Sequence, residues 1–372
     1  MKPIIKWPGG KSREIEKIKA LIPTFDRYIE PFLGGGAVFF YLEPKKAEIN
    51  DISKSLTSFY SMVKDQNTIF KKYLLSYNES FSSMLIFCDK KSNDLVALFN
   101  KFKNEIINKD DLSKKVDKLL SEMYDTMSEN FKKDLIINKD SFIKIENKNI
   151  IDKYKRTVLN IEDNPFTDED LKENLITGFT SGYYMYFRSV FNDINLNKIT
   201  DRSEEYRIAN FYFVREYCYG SMFRYNSKGE FNIPYGGMSY NRKSFISKID
   251  NMFNENINNV FENTNINCSD FELFLNNLDL TENDFIFLDP PYDTDFSDYE
   301  GKDFTKSDQE RLAKVLKNIS AKFILVIKNT DFIKGLYEDD FNILTFDKQY
   351  TYNVRSRNER NTEHLIITNL PV

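Results

Sequence analysis

The chain begins with short apolar segments, each of which ends in residues that favour a turn. Residues 27–30 predict a strand, which stops at the Pro-Phe-Leu-Gly-Gly-Gly sequence of residues 31–36. The continuous apolar residues 37–42 predict a buried helix, and residues 47–51 predict a second strand that ends in an acid. A strand, a helix and a second strand this close together are typical of an α/β fold.

The same alternation returns in the last third of the chain. The elements predicted there are a continuous apolar strand at 284–288, an amphipathic helix at 307–316, and strands at 322–327 and 364–367. Strands separated by helices predict a mostly parallel sheet covered by helices. We therefore expect one α/β domain formed by residues 1–58 and 255–372 and interrupted by residues 59–254.

The interrupting segment has a different pattern. Its apolar residues recur at helical spacing, and the Lys-, Asn- and Asp-rich region from 90 to 175 contains few Gly or Pro residues. We expect short helices and solvated loops there rather than a linker. The charge of residues 76–180 is nearly balanced, so the sequence indicates no role for that stretch.

Composition limits the chemistry. The chain has 372 residues with 41% hydrophobic and 15% aromatic content, which excludes an intrinsically disordered protein and allows two or three domains. His364 is the only histidine, and the three cysteines are far apart and form no C-x-x-C motif. Zinc clusters and disulfide frameworks are therefore not expected, and the chemistry must come from carboxylates, backbone groups or a bound cofactor. An apolar leader and a membrane span are also missing from the sequence, which predicts a reduced, cytoplasmic setting.

The distribution of charge matters more than its total. A net charge of −5 at first argues against a polyanionic partner. Residues 246–340 alone carry −11, however, and the rest of the chain carries +6. The distribution therefore permits a nucleic-acid partner.

The glycine turn at residues 30–36 is a candidate cofactor site. A strand end, a glycine turn and a helix start let the backbone approach a ligand closely. Asp51 follows Gly34 by 17 residues and Glu30 by 21, close to the ~20-residue offset at which an acid binds a ribose. This spacing favours a nucleoside-containing cofactor over a purely structural turn.

A second glycine pair lies at residues 6–11, Lys-Trp-Pro-Gly-Gly-Lys. It superficially resembles the end of a phosphate-binding loop, but the glycine that such a loop requires would fall on Ile5. Two lysines and the single tryptophan around a Gly-Gly turn are better suited to hold a flat or anionic ligand. Alternatively, Trp7 belongs to the hydrophobic core.

The most specific motif is Asp289-Pro290-Pro291-Tyr292, which directly follows the apolar strand at 284–288. Two prolines fix the backbone and remove two N–H donors, so a carboxylate and a carbonyl remain as acceptors beside an aromatic ring. Such acceptors would draw the hydrogens of an exocyclic amine out of the base plane and orient its lone pair toward an electrophilic methyl group. The alternative is a Pro-rich turn capped by an aspartate.

These motifs, in this order, resemble those of the Dam-like, alpha-class DNA adenine methyltransferases. The resemblance implies a Rossmann-like methyltransferase domain interrupted by a target-recognition domain, and S-adenosylmethionine as the cofactor. It assigns the target adenine, flipped out of the duplex, to Asp289, Pro290, Pro291 and Tyr292. The cofactor residues that it implies are Trp7, Gly9, Gly10, Lys11, Glu30, Pro31, Phe32, Gly34, Gly36, Asp51, Asp270, Phe271 and Asp289.

The resemblance extends to residues 219–236, which look like the recognition hairpin of that family. It implies that Tyr219 wedges between bases, that Arg224 reads a guanine, and that apolar contacts reach a thymine methyl. The DNA-binding residues that it implies are Lys6, Tyr219, Met222, Arg224, Asn226 and Pro234. Separately, Arg355 and Arg357 lie in a polar, basic loop between predicted strands, and we expect these arginines to contact phosphates. A plain hairpin packed on helices, and solvated loop arginines, are the alternatives.

The sequence thus predicts a monomeric, metal-independent enzyme that methylates adenine in duplex DNA. GATC is the first expectation for its site and CATG the second, since Gly220 replaces the asparagine common among relatives that recognise GATC. Two rival functions remain, an RNA or cytosine amino-methyltransferase and a DNA-binding regulator without catalysis. The sequence leaves open whether a restriction endonuclease accompanies the enzyme.

Overall fold

The protein divides into two compact units. The computed structural model describes residues 1–11, 14–161, 165–291, 304–349 and 361–371, with no side-chain description at 347–349 and 361–362. Residues Met1–Asp65 and Asn254–Val372 form the first unit, called the sheet unit here. Residues Gln66–Phe253 form the second, called the helical unit.

Within the described ranges, seven strands form one sheet in the order β3-β2-β1-β4-β5-β7-β6. The strands are β1 (Arg27–Glu30), β2 (Ala47–Asn50), β3 (Thr264–Asn267), β4 (Asp284–Leu288), β5 (Lys322–Lys328), β6 (Asn342–Gln349) and β7 (Asn361–Thr368). Strands β1 to β5 pair in parallel, and β7 is antiparallel to both β5 and β6. The predicted α/β class and mostly parallel sheet are confirmed.

The same ranges contain fourteen α-helices. They are α1 (Ile15–Ile18), α2 (Ala37–Leu42), α3 (Lys54–Lys64), α4 (Thr68–Lys90), α5 (Ser92–Lys103), α6 (Lys109–Thr126), α7 (Lys139–Asn160), α8 (Asp168–Asn195), α9 (Glu204–Tyr217), α10 (Ile246–Met252), α11 (Glu255–Phe261), α12 (Phe271–Asn276), α13 (Lys306–Leu316) and α14 (Asp331–Tyr337). Across this part of the chain, no helix is both long enough and apolar enough to span a membrane.

The central strands of the sheet unit are buried on both faces. All five residues of β4 are buried, as are the five inner residues of β5. Strands covered by helices on both sides must be apolar throughout, which explains their continuous hydrophobic sequence. The strand order reverses between β1 and β4, and such a reversal opens a crevice at the carboxyl ends of the strands.

Arg27 and Asp284 join the two strands beside this reversal. They lie opposite each other in the register of β1 and β4. The guanidinium Nε donates to Oδ1 at 2.9 Å and Nη2 donates to Oδ2 at 2.8 Å. Burial alone would raise the pKa of Asp284, but hydrogen bonds from Arg27 and Thr281 outweigh it and lower that pKa.

An Asp284→Asn variant is expected to lower the free energy of unfolding by about 2 kcal/mol at pH 7, because the partly buried Arg27 would lose its carboxylate partner. Because the pKa of Asp284 in the folded protein lies below the ordinary 3.8, its charged carboxylate stabilises the fold at higher pH. This stabilisation is lost as the pH falls through the pKa of the folded state. Urea unfolding at pH 7 and pH 3 measures both effects. A difference between variant and wild type that stays constant at acidic pH would contradict the assignment.

The helical unit corrects one expectation. Short helices and solvated loops were predicted for residues 90–175, but this region contains the 18 residues of α6, the 22 of α7 and the start of the 28-residue α8. Side chains of Asn108, Asn138 and Thr167 cap the first turns of these helices. Their apolar faces pack together, and tertiary packing sustains long helices in a sequence rich in Asn and Asp.

Glu146 lies buried inside this bundle. Both of its carboxyl oxygens lack a hydrogen-bond partner among the described residues. Gly182 of α8 makes room for them, since a Cβ at that position would lie 2.1 Å from Oε2. Burial raises the pKa of Glu146 well above its ordinary value, so the folded protein favours the neutral carboxyl.

Replacing Glu146 by Gln should therefore flatten the pH dependence of stability. A raised folded-state pKa means that stability falls as pH rises above the ordinary value of 4.5, by about 1.4 kcal/mol per pH unit until the folded-state pKa is reached. Urea unfolding at pH 5 and pH 8 should reveal this fall in the wild type and not in Glu146→Gln. The exposed Glu79→Gln change on α4 is the matched control, and it should retain the wild-type slope.

Candidate active site

A cavity of about 560 Å³ opens at the carboxyl ends of β1, β2 and β4, where the strand order reverses. It lies entirely within the sheet unit. Of the thirteen residues that the family resemblance assigned to the cofactor, twelve line it, namely Trp7, Gly9, Gly10, Lys11, Glu30, Pro31, Phe32, Gly34, Asp51, Asp270, Phe271 and Asp289. Pro290 and Pro291 line it as well, whereas Tyr292 falls outside the described residues.

Gly36 is the exception among the predicted cofactor residues. It is not part of the cavity lining but precedes α2 with φ of +66°. A Cβ there would meet the Phe40 ring at 3.1 Å. The turn into the helix is therefore sufficient to require a glycine at this position.

Gly34 shapes the wall of the cavity. Its φ is +50°, and a Cβ at this position would lie 2.9 Å from Cδ1 of the Trp7 ring. Its carbonyl accepts a hydrogen bond from the Tyr60 hydroxyl at 2.9 Å. Trp7 thus packs directly on the glycine turn, so the two glycine motifs of the sequence form one structure.

Asp51 organises the same turn. Its Oδ2 accepts from the Gly34 N–H at 2.9 Å, and its Oδ1 accepts from the Ser53 N–H at 2.9 Å. Burial raises the pKa of Asp51, although these hydrogen bonds oppose the shift. Each carboxylate oxygen can accept a further bond, which leaves acceptor capacity for a ligand hydroxyl.

Glu30 is a buried acid at the end of β1. The Tyr28 hydroxyl donates to its Oε2 at 2.9 Å. Burial raises the pKa of Glu30 well above its ordinary value, and the negative charges of Asp289 and Asp51 add to this rise. A ligand cation beside Glu30 would favour its charged form.

Lys11 and Asp289 form an ion pair within the cavity wall. The lysine is 2% exposed and the aspartate 18% exposed, although 278 residues separate them in sequence. Lys11 Nζ also donates to the Gly9 carbonyl at 3.2 Å. The pair links the first motif of the chain to Asp289-Pro290 and orients one carboxylate oxygen of Asp289.

Three aromatic rings surround one part of the cavity. Phe32, Phe271 and Phe304 all line it, with ring centroids 5.4 to 5.7 Å apart. Arg311 lies 4.9 Å from the Phe271 ring and pairs with Asp270 at 2.6 Å. Such a group of rings offers an apolar surface to a planar ligand.

Sequence reasoning missed several residues that hold these elements in place. The Asn50 amide donates to the carbonyls of Pro31 and Ser269, both at 3.0 Å, and so connects the ends of β1, β2 and β3. Gln309 Nε2 donates to the Pro291 carbonyl at 2.9 Å. Gln309 is a buried polar residue on the apolar face of α13, a signal that could have identified it.

The predicted recognition hairpin lies in the helical unit. Two isolated antiparallel bridges, Cys218 to Tyr235 and Tyr225 to Phe231, hold it rather than regular strands. The Tyr219 side chain is 46% exposed. Exposed Arg224 donates from Nε to Asn232 at 2.7 Å.

The other predicted DNA-binding residues have varied surroundings. Met222 is partly buried, and Lys6 in the sheet unit and Pro234 in the hairpin are exposed. The Asn226 side chain closes the hairpin turn, since its Oδ1 accepts from the N–H groups of Lys228 and Glu230. The predicted phosphate contacts, Arg355 and Arg357, fall outside the described residues. In the described ranges, no group of three or more His, Cys, Asp or Glu side chains is arranged to hold a metal ion.

Comparisons with known proteins identify the family. The model for D12 class N6 adenine-specific DNA methyltransferases matches residues 7–352. The type II methyltransferase M.MjaIII of Methanocaldococcus jannaschii is 29% identical over 362 residues, covering 92% of this chain and 90% of that protein. The type II methyltransferase M1.LlaDCHI of Lactococcus lactis subsp. cremoris is 24% identical over 378 residues, covering 99% and 95%.

A third relative matches only part of a longer protein. The DNA N-6-adenine-methyltransferase of Escherichia phage P1 is 23% identical over 345 residues, which cover 90% of this chain and 31% of that protein. The family predicted from the motifs is therefore confirmed, because its model spans nearly the whole sequence. The chain belongs to the D12 class N6 adenine-specific DNA methyltransferases, and it is an enzyme of that family.

Proposed function

We propose that the cavity binds S-adenosylmethionine and that the enzyme methylates the 6-amino group of an adenine flipped out of duplex DNA. One observation carries this proposal. Residues of three distant motifs, at positions 6–11, 30–36 and 289–291, line a single cavity in which Lys11 pairs with Asp289. The proposed reaction needs a cofactor pocket and a target-base acceptor side by side, and the meeting of these motifs in one cavity supports that arrangement.

The residues present fit this cofactor. The cavity volume of about 560 Å³ is within the roughly 300–1,000 Å³ typical of small-molecule sites. Phe32, Phe271 and Phe304 offer the surface that an adenine ring requires, and Asp51 offers acceptors for ribose hydroxyls. The carboxylates of Glu30 and Asp289 favour the positive charges of the amino and sulfonium groups.

The chain contributes orientation and charge to the reaction. When bound, S-adenosylmethionine supplies the electrophilic methyl group. Asp289 accepts a hydrogen from the adenine amino group and so orients its lone pair for direct attack, while Lys11 holds the carboxylate. Pro290 and Pro291 stiffen the loop, and Gln309 fixes it through the Pro291 carbonyl. The proton of the methylated amine is released to solvent.

We further propose that the hairpin reads the DNA sequence. Arg224 uses Nε for its bond to Asn232, so that contact does not involve the two terminal nitrogens with which arginine binds a guanine edge. Exposed Tyr219 is suited to enter the base stack, and Met222 and Pro234 are suited to apolar contacts. GATC remains the first expectation for the site and CATG the second, with the enzyme acting as a monomer.

Mapping the modified bases tests this function. Unmethylated genomic DNA is incubated with the purified chain and tritiated S-adenosylmethionine, and methylated adenines are then located by sequencing. Label in adenine at one short sequence is the expected result. A parallel reaction contains total RNA in place of DNA. Label in cytosine, or in RNA but not in DNA, would favour the rival methyltransferase, and DNA binding without any transfer would favour the regulator.

A further inference from the structure

Two neighbouring residues of the recognition hairpin have a backbone conformation that side chains disfavour. Gly220 has φ of +61° and Ser221 has φ of +50°, within the 3-10 turn Tyr219–Ser221. Glycine adopts this left-handed conformation readily, but serine does so only where surrounding contacts hold it. The turn that follows Tyr219 therefore needs support from elsewhere in the helical unit.

Arg215 supplies that support. It lies in the last turn of α9 and is 1% exposed. Its Nη2 donates to the Ser221 carbonyl at 2.6 Å, and its Nη1 donates to the Met222 carbonyl at 2.7 Å. The guanidinium carbon also lies 3.7 Å from the centre of the Phe223 ring. A planar guanidinium makes two such bonds and a ring contact together, which an ammonium group does not.

The returning half of the hairpin is held in a similar way from α8. The Tyr184 hydroxyl and Arg188 Nη1 donate to the Ile233 carbonyl at 2.9 and 3.0 Å. Asn192 bonds both the N–H and the carbonyl of Phe231, at 2.8 and 3.1 Å. All these contacts are to the backbone, so they fix the path of the chain without using the side chains that face solvent.

We propose that Arg215 is a positioning residue for sequence recognition. It fixes the turn at Gly220 and Ser221 so that Tyr219 and Arg224 meet DNA in one geometry. Arg215 is too buried to touch DNA itself, so its effect on specificity acts through the turn. This inference rests on the proposed role of the hairpin in reading DNA.

The test compares discrimination between sites. Arg215→Lys keeps the charge but removes the two-pronged contact. Methyl transfer is measured on a duplex with the site mapped for the wild type and on duplexes with each single-base change. We expect the KM for the mapped site to rise about ten-fold and the preference over altered sites to fall by a similar factor. The KM for S-adenosylmethionine should stay unchanged. Arg156→Lys, at an exposed position on α7, is the matched control and should behave as the wild type.

A second variant keeps the test decisive if Arg215→Lys does not fold. Phe223→Leu leaves Arg215 in place and removes only the ring beneath it, so a smaller loss of discrimination in the same direction is expected. Arg215→Lys with normal folding and full discrimination would overturn the role of Arg215. If Arg215→Lys does not fold, full discrimination in Phe223→Leu would overturn it instead. A wild type that transfers no methyl group to any duplex would overturn the proposed function and this inference with it.

Discussion

An Asp289→Ala variant is expected to transfer methyl groups at least about a thousand-fold more slowly than the wild type, because the target amine would lose a positioned acceptor in a buried site. Lys11, which is 2% exposed, would also lose the carboxylate of its ion pair. The hairpin belongs to the other unit, so we expect its structure to be unchanged. DNA binding should therefore remain close to that of the wild type.

Single-turnover transfer of tritiated methyl groups measures the chemical step, and a gel-shift assay measures DNA binding. Asp339→Ala is the matched control, because Asp339 is an exposed aspartate of the same unit. It should change neither quantity. Near-normal turnover of Asp289→Ala would refute the mechanism, whereas loss of DNA binding alone would assign Asp289 to the DNA surface.

Gly34→Ala should weaken the binding of S-adenosylmethionine by about five- to thirty-fold. A non-glycine residue at φ of +50° costs about 1–2 kcal/mol, and every 1.4 kcal/mol corresponds to about ten-fold in affinity. The added Cβ would also push on the Trp7 ring from 2.9 Å. Because the Gly34 N–H and carbonyl bind Asp51 and Tyr60, one methyl group disturbs several parts of the cavity wall.

Isothermal titration calorimetry with S-adenosylmethionine measures this loss directly. Gly335→Ala is the control, since Gly335 lies in α14 with nothing within 4 Å of an added Cβ. That change should leave cofactor affinity intact and slightly raise stability, because alanine favours a helix more than glycine does. Equal affinity of Gly34→Ala and the wild type would mean that the glycine turn does not shape the cofactor site.

The sequence predicted best where local pattern and burial agree. Strands β4 and β5 are continuous apolar runs, so both were predicted within one residue of their ends. Strands β3 and β6 were not clearly predicted from the sequence as elements of the sheet. Strand β3 has one buried residue in four, and β6 mixes polar and apolar residues. Edge strands bury little surface, and pairing with a neighbour rather than their own pattern defines them.

The same limit applies to the candidate site. The glycine turn, Asp51 and the Asp289-Pro290-Pro291 motif could be identified from local pattern and spacing, because each carries a backbone or charge requirement. The remaining cofactor residues, such as Asp270, were assigned only by the family resemblance. The ion pair of Lys11 with Asp289 was not predicted, because it joins residues 278 positions apart and depends on the closed sheet. Asn50 and Gln309 were not identified from the sequence for a related reason, because both act by donating to backbone carbonyls and belong to no motif.

The discontinuous sheet unit also determines the order in which a newly made chain can fold. Strand β1 needs β4 beside it, and the Arg27 and Asp284 pair between them spans 257 residues. The helical unit is continuous in sequence and can fold while β4 is still being synthesised. At roughly 5–20 residues per second, β1 waits on the order of ten to fifty seconds for its partner. Until β4 has been synthesised, β1 lacks this partner strand. Conditions that slow synthesis between the two strands should therefore favour aggregation of the nascent chain.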